Sequence, residues 1–146
     1  MRKLGVAILI VVLVAAAARA REESTEELIA RADAARPDQQ PDLYMQVAQR
    51  ELKLATEAYK SDKMEDFRTA VLQVVKYSDS AHSAALHSGK HLKNTEIKIR
   101  EIAIRLRDIK LNVEVDEQPP VQAAIDRLEG FRTELLHSMF GSKSND

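Results

Sequence analysis

Apolar side chains recur every three or four residues from about residue 24 to residue 140, with charged residues mixed evenly among them. That spacing is the period of an amphipathic helix. Gly89 and Gly141 stand where helices are expected to end, and Gly130 falls inside a helical pattern. We therefore predict an all-α domain over residues 21–140. It should hold four to five helices, arranged as an up-down bundle or as stacked hairpins, with residues 141–146 as a flexible tail.

Local signals give the first two helices. Ser24, with Glu27 three residues later, has the form of a capping box and predicts the start of a short helix that Pro37 ends. Asp42 is expected to cap a second helix that runs to Lys60. The apolar stripe of the second helix consists of Leu43, Val47, Leu54 and Ala58, with Tyr44, Ala48, Ala55 and Tyr59 beside it.

The third and last helices follow the same logic. Asp62 resembles the cap of a third helix from about Lys63 to Ser88, where Gly89 supplies a natural stop. Its predicted core row is Phe67, Val71, Val74, Ser78, Ala81 and Ala85. The last helix is expected to begin at the proline pair at 119–120, because proline suits the first position of a helix. Its buried face is predicted to comprise Val121, Ala124, Ile125, Leu128, Phe131, Leu135 and Met139.

The segment at 97–115 is apolar on two sides if it is a helix. A core-facing seam is formed by Ile99, Ile102, Leu106, Ile109 and Val113. Ile97, Ile104 and Leu111 recur every seven residues on the opposite face. Such a helix usually lies between two layers. If they are not covered within one chain, these three residues are the predicted surface for a protein partner or for self-association.

The same segment also fits a strand. Ile102, Ile104 and Leu106 alternate with other side chains, and isoleucine and valine favour strands. A helix is the better prediction because no glycine or proline interrupts the run and no other segment offers a pairing strand.

The first twenty residues have the form of an export signal that begins the chain as a helix. Two basic residues precede fifteen residues, 4–18, without a charged or polar side chain. Ala18 and Ala20 stand at the positions that a signal peptidase reads. The stretch is short for a spanning helix, which needs about 20 apolar residues. We expect cleavage after Ala20 and a soluble mature protein that is periplasmic or secreted, with no stable membrane anchor.

Composition narrows the partners. Three of the 22 basic residues lie in the signal, so the mature chain keeps 19 basic and 23 acidic residues. That balance gives no general basic face for a nucleic acid. The chain has no cysteine, which excludes disulfides and thiolate metal sites and leaves packing alone to stabilise the exported domain.

Part of the second and third helices resembles a tetratricopeptide-type helical hairpin. The likeness covers residues 54–77 and lacks the usual glycine of the first helix, and no second copy at a period of about 34 is visible. It rests on Ala55, Ala58, Tyr59, the turn at Ser61 and Asp62, then Phe67, Ala70, Val71 and Val74. The resemblance implies a scaffold that binds peptides or proteins. The sequence indicates no specific family.

Candidate chemistry is sparse. His87 and His91 are four residues apart, and His82 lies nearby, so these three form a speculative metal site. Gly89 between them predicts a helix end, which weakens the spacing argument. No catalytic motif, phosphate-binding loop or cofactor motif is visible. We therefore expect a non-enzymatic interaction or scaffold domain without a cofactor, with a periplasmic metal- or small-ligand-binding bundle as the alternative.

Overall fold

The computed structural model describes residues 22–141 and confirms the all-α prediction. Five α-helices follow one another within this part of the chain, and a short 3₁₀ turn, Val115–Glu117, precedes the last of them. The helices are α1 (Thr25–Ala34), α2 (Gln40–Lys60), α3 (Met64–Ser88), α4 (Leu92–Lys110) and α5 (Gln118–Phe140). The predicted signal with Ala18 and Ala20 lies outside the described residues, as does the tail from 142.

Two of the predicted helix ends are confirmed. The hydroxyl of Ser24 accepts a hydrogen bond from the backbone N–H of Glu27 at 3.1 Å, which satisfies one of the free amides at the start of α1. Gly89 ends α3 in the left-handed conformation, with φ at 69°. Glycine adopts that conformation without the steric penalty of a Cβ.

Two predicted caps are wrong. α2 begins at Gln40, before Asp42, because Pro41 fits the first turn of a helix and needs no hydrogen-bond partner for its nitrogen. Asp42 lies inside that first turn, where its charge complements the helix dipole. The N-cap residue of α3 is Lys63 rather than Asp62. Asp62 adopts the left-handed conformation in the turn before the helix, with φ at 57°.

The helices form two antiparallel hairpins, α2–α3 and α4–α5, which are stacked on each other. The first residues of α2 and α4 meet where Asn94 donates to Asp42, and their last residues meet where Tyr59 donates to the carbonyl of Asn112. α2 and α4 are therefore parallel. α3 and α5 are parallel as well, since Arg68 contacts Glu117 at one end.

One hydrophobic core joins the hairpins. The predicted stripes of α3 and α5 are buried, apart from Met139, which is half-buried. The stripe of α2 is partly wrong. Leu54 is 47% exposed, whereas Met45, which was not predicted, is fully buried. The predicted apolar face of α2 was too broad, because the buried side of the helix is centred nearer to Met45 than to Leu54.

α1 packs on α2. Leu28 and Ala32 are fully buried in this contact. The hydroxyl of Tyr44 donates to Asp33 at 2.8 Å. Burial and this hydrogen bond raise the pKa of Tyr44 to about 12, so the phenol stays neutral well above its ordinary range.

The segment at 97–115 is helical as predicted, but only as far as Lys110. Leu111 begins a turn, and Val113 is buried from that turn rather than from a helix. The side-chain amide of Asn112 donates a hydrogen bond back to the carbonyl of Asp108, which helps to end the helix.

Within residues 22–141, no helix is both long and apolar enough to cross a membrane.

Candidate functional site

The outer face of α4 is the first candidate surface. The inner seam is deeply buried, with Ile99 and Leu106 at 0% exposure. On the opposite side, Ile104 is 50% exposed and Leu111, just beyond the helix, is 79% exposed. Ile97 is half-buried. We call Ile97, Ile104 and Leu111 the outer α4 face, and the described residues leave its last two members uncovered.

Charges of both signs surround the outer α4 face. Arg100, Glu101 and Asp108 are exposed along the helix. At the edge towards α5, the guanidinium of Arg107 donates to Glu129 at 2.8 Å. Mixed charges of this kind suit contact with a surface that also carries both signs, because each charge can then meet an opposite one.

The end of α5 extends the apolar surface on this side. Met139 lines an open cavity together with Ile97 and with residues at the start of α4. Leu136 and Phe140, in the same last turns of α5, are 38% and 61% exposed. Met139 therefore makes the apolar area near Ile97 larger than the sequence pattern of α4 indicated.

A groove between α3 and α5 is the second candidate surface. Its volume is about 480 Å³. Branched and aromatic residues of α3 form one wall, and small residues of α5 form the other. The apolar lining comprises Phe67, Val71, Leu72 and Val75 from α3, and Pro120, Val121, Ala123 and Ala124 from α5. We call this the α3–α5 groove.

Charged side chains border the α3–α5 groove. Arg68, Lys76 and Arg127 are basic, and Asp79 is the acidic residue among those that line it. At one end Arg68 donates two hydrogen bonds to Glu117, which lower the pKa of that carboxyl group. At the other end Arg127 lies 3.6 Å from Asp79.

His82 lies just beyond the end of the groove and is buried, with 6% exposure. Its ring stacks on Phe131 at a centroid distance of 4.8 Å. Its Nε2 is 2.7 Å from Glu134 without the alignment of a hydrogen bond, and its Nδ1 is 3.6 Å from Asp79, too far for one. These contacts become ion pairs when the imidazole is protonated.

The three histidines of the speculative metal site have separate surroundings. His87 is exposed near the end of α3. His91 lies in the turn before α4, in the left-handed conformation, with its Nδ1 3.2 Å from Asp42. Within residues 22–141, no group of three histidine, aspartate or glutamate side chains is placed to hold a metal ion.

A buried ion pair was missed by the sequence analysis. Glu96 is 6% exposed on α4, and one of its oxygens accepts hydrogen bonds from Arg132 of α5 at 2.9 and 2.8 Å. Arg132 also donates to Glu129 at 2.8 Å. The pair fastens the two helices of the second hairpin. Nothing in the local sequence marks Glu96, since its partner lies 36 positions later.

The α3–α5 groove was missed as well, because Leu72 and Val75 fall outside the predicted core row of α3. Leu72 is 69% exposed, and Val75 is only partly covered. The signal in the sequence that could have indicated the groove was two apolar residues beside a complete core row.

Comparison with known proteins shows that the chain matches no family model, no curated protein and no solved structure.

Proposed function

We propose that the protein is a non-enzymatic interaction domain that docks a second protein surface on its outer α4 face. The observation that carries this proposal is the exposure of Ile104 and Leu111, at 50% and 79%, on the side of α4 opposite its buried seam. Each branched side chain that becomes buried contributes about 1.5–3 kcal/mol. The partner we infer first is a second copy of this chain.

The charge pattern supports a second copy. In a two-fold interface the same patch faces itself, so it must be complementary to itself. The outer α4 face meets that need, because Arg100 is exposed beside Glu101 and Asp108. A stable interface buries roughly 800 Å² per partner, more than three side chains supply. We expect the contact to include Leu136 and Phe140, and to be weak.

The stacking of hairpins supports the scaffold interpretation. Like helices of successive hairpins are parallel here, which is the arrangement expected of tetratricopeptide-like units. We propose that the two hairpins act as such a scaffold. We also propose, from the signal pattern at residues 1–20, that it acts after export. Stacked hairpins bury their faces against neighbours, and the last unit requires a polar cap or another surface.

Replacing Ile104 by aspartate is expected to abolish self-association. The carboxylate would have to be desolvated on docking, without a partner designed for it. Static light scattering over a range of concentrations should show the mass of the unsubstituted chain rising above that of a monomer. The Ile104→Asp chain should remain monomeric at every concentration.

Leu54→Asp provides a matched control. Leu54 is 47% exposed, close to the 50% of Ile104, but it lies on α2 beside α3. This variant should associate as the unsubstituted chain does. A strict monomer whose mass is the same with and without Ile104→Asp would refute the self-association proposal.

A further inference from the structure

We infer that the α3–α5 groove binds an amphipathic helix whose apolar stripe is flanked by acidic residues. This site is separate from the outer α4 face and does not depend on the function proposed above. The groove follows α3 from Phe67 to Asp79, a helical rise of about 18 Å at 1.5 Å per residue. That length matches roughly three turns of a docked helix.

The shape of the groove favours a helix. Its two walls are parallel helices, and a third helix packs naturally into the depression between two others. On the α5 side, Ala123 and Ala124 let another backbone approach closely. On the α3 side, Leu72 is 69% exposed and would be covered by the incoming apolar stripe. Recognition of this kind uses apolar anchors at i, i+3, i+4 and i+7.

The charges of the groove select the flanks of that helix. Arg68, Lys76 and Arg127 outnumber Asp79 along its border. Arg68 and Arg127 already have acidic partners in Glu117 and Asp79. Lys76 contacts the face of the Tyr77 ring at 5.3 Å, and of these three basic residues it is the one without a carboxylate partner among residues 22–141. An acidic side chain on the bound helix would pair with it.

The same charges disfavour the leader of this chain as the occupant. Residues 4–18 are apolar enough to fill the groove, but Arg2, Lys3 and Arg19 flank them. Basic flanks would lie against Arg68, Lys76 and Arg127, and like charges placed together weaken docking.

The groove is also open along its length, which disfavours a small ligand. A small apolar ligand is usually bound in a pocket that covers most of its surface.

Two synthetic peptides test the inference. Both are helical, about 15 residues long, with leucines at the anchor spacing; one has glutamates on the flanks and the other has lysines. Fluorescence anisotropy with the purified protein should show binding of the acidic peptide, at least about tenfold tighter than that of the basic one. Added salt should reduce the difference, because the selectivity is electrostatic. Absence of binding, or equal binding of both peptides, overturns the inference.

Three variants locate the binding. Ala123→Trp fills the groove without changing its charge and should abolish binding of the acidic peptide. Lys76→Glu should weaken the acidic peptide severalfold and strengthen the basic one. Val115→Asp is the control, since Val115 is 74% exposed but does not line the groove. The inference is overturned if the acidic peptide still binds to the Ala123→Trp variant. It is also overturned if sodium dodecanoate binds in the groove and the acidic peptide does not.

Failure here is distinguishable from failure of the proposed function. Ile104→Asp should leave binding of the acidic peptide unchanged, because Ile104 does not line the groove. Ala123→Trp should leave the concentration dependence of the molecular mass unchanged. If Ala123→Trp removes self-association instead, the occupant of the groove is a second copy and the inference about a separate acidic helix is wrong.

Discussion

Ile102→Asp is expected to unfold the protein, or nearly so. Ile102 is 2% exposed in the seam that α4 contributes to the core. A carboxylate there would lose its hydration without gaining an ion-pair partner, at a cost of more than about 4 kcal/mol. Domains of this kind have a total stability of roughly 5–15 kcal/mol. Circular dichroism during urea unfolding measures the loss.

Ile104→Asp provides the internal control for that prediction. It places the same charge two residues further along the same helix, where the side chain is 50% exposed. At a concentration where the chain is monomeric, its free energy of unfolding should stay within about 0.5 kcal/mol of the original. Equal destabilisation by the two substitutions would mean that the outer α4 face is covered within one chain.

Arg132→Leu is expected to be the second large effect, at about 3 kcal/mol of lost stability. It removes both hydrogen bonds that Glu96 accepts from the guanidinium and leaves a carboxylate whose side chain is 8% exposed. An unpaired buried charge typically costs 3–5 kcal/mol. We expect the lower end because the Arg132 side chain is itself 19% exposed, so water can reach the site. Urea unfolding at neutral pH provides the measurement.

The double variant Glu96→Leu with Arg132→Leu separates the pair from the packing around it. Buried ion pairs replaced by apolar groups of similar size are often neutral in stability, because desolvation of both charges is avoided. The double variant should therefore regain most of the stability that Arg132→Leu loses. If it is no more stable than the single variant, the aliphatic part of Arg132 rather than its charge is what stabilises the hairpin.

The helices could be predicted from the sequence because the relevant forces are local. The period of Phe67, Val71 and Val74 indicated the buried side of α3, and Gly89 indicated its end. The predicted caps at Asp42 and Asp62 were wrong for an equally local reason. A proline at position 41 and a left-handed turn at position 62 determined where α2 and α3 begin. Capping residues near a turn leave alternatives that only the backbone geometry decides.

The surfaces were predictable in part. Ile97 and Ile104 share one side of α4 whatever α4 packs against, so their common side followed from the sequence. That Ile97 is half-buried and that Leu111 lies beyond the end of the helix did not. The α3–α5 groove did not, since it depends on how closely Ala123 and Ala124 of α5 approach Leu72 of α3. The Glu96–Arg132 pair is of the same kind. The sequence around Glu96 suggests a solvent-exposed residue, and its burial depends on the packing of α5 over it.

Docking of a second copy on the outer α4 face should change the reactivity of a single thiol at position 104. The chain has no cysteine, so Ile104→Cys introduces one thiol and Leu54→Cys provides a control of nearly equal exposure. The rate of alkylation is measured as the protein concentration is raised. We expect the thiol at 104 to become protected from alkylation as the concentration rises, while the thiol at 54 does not. Rates that stay independent of concentration at both positions would contradict this docking.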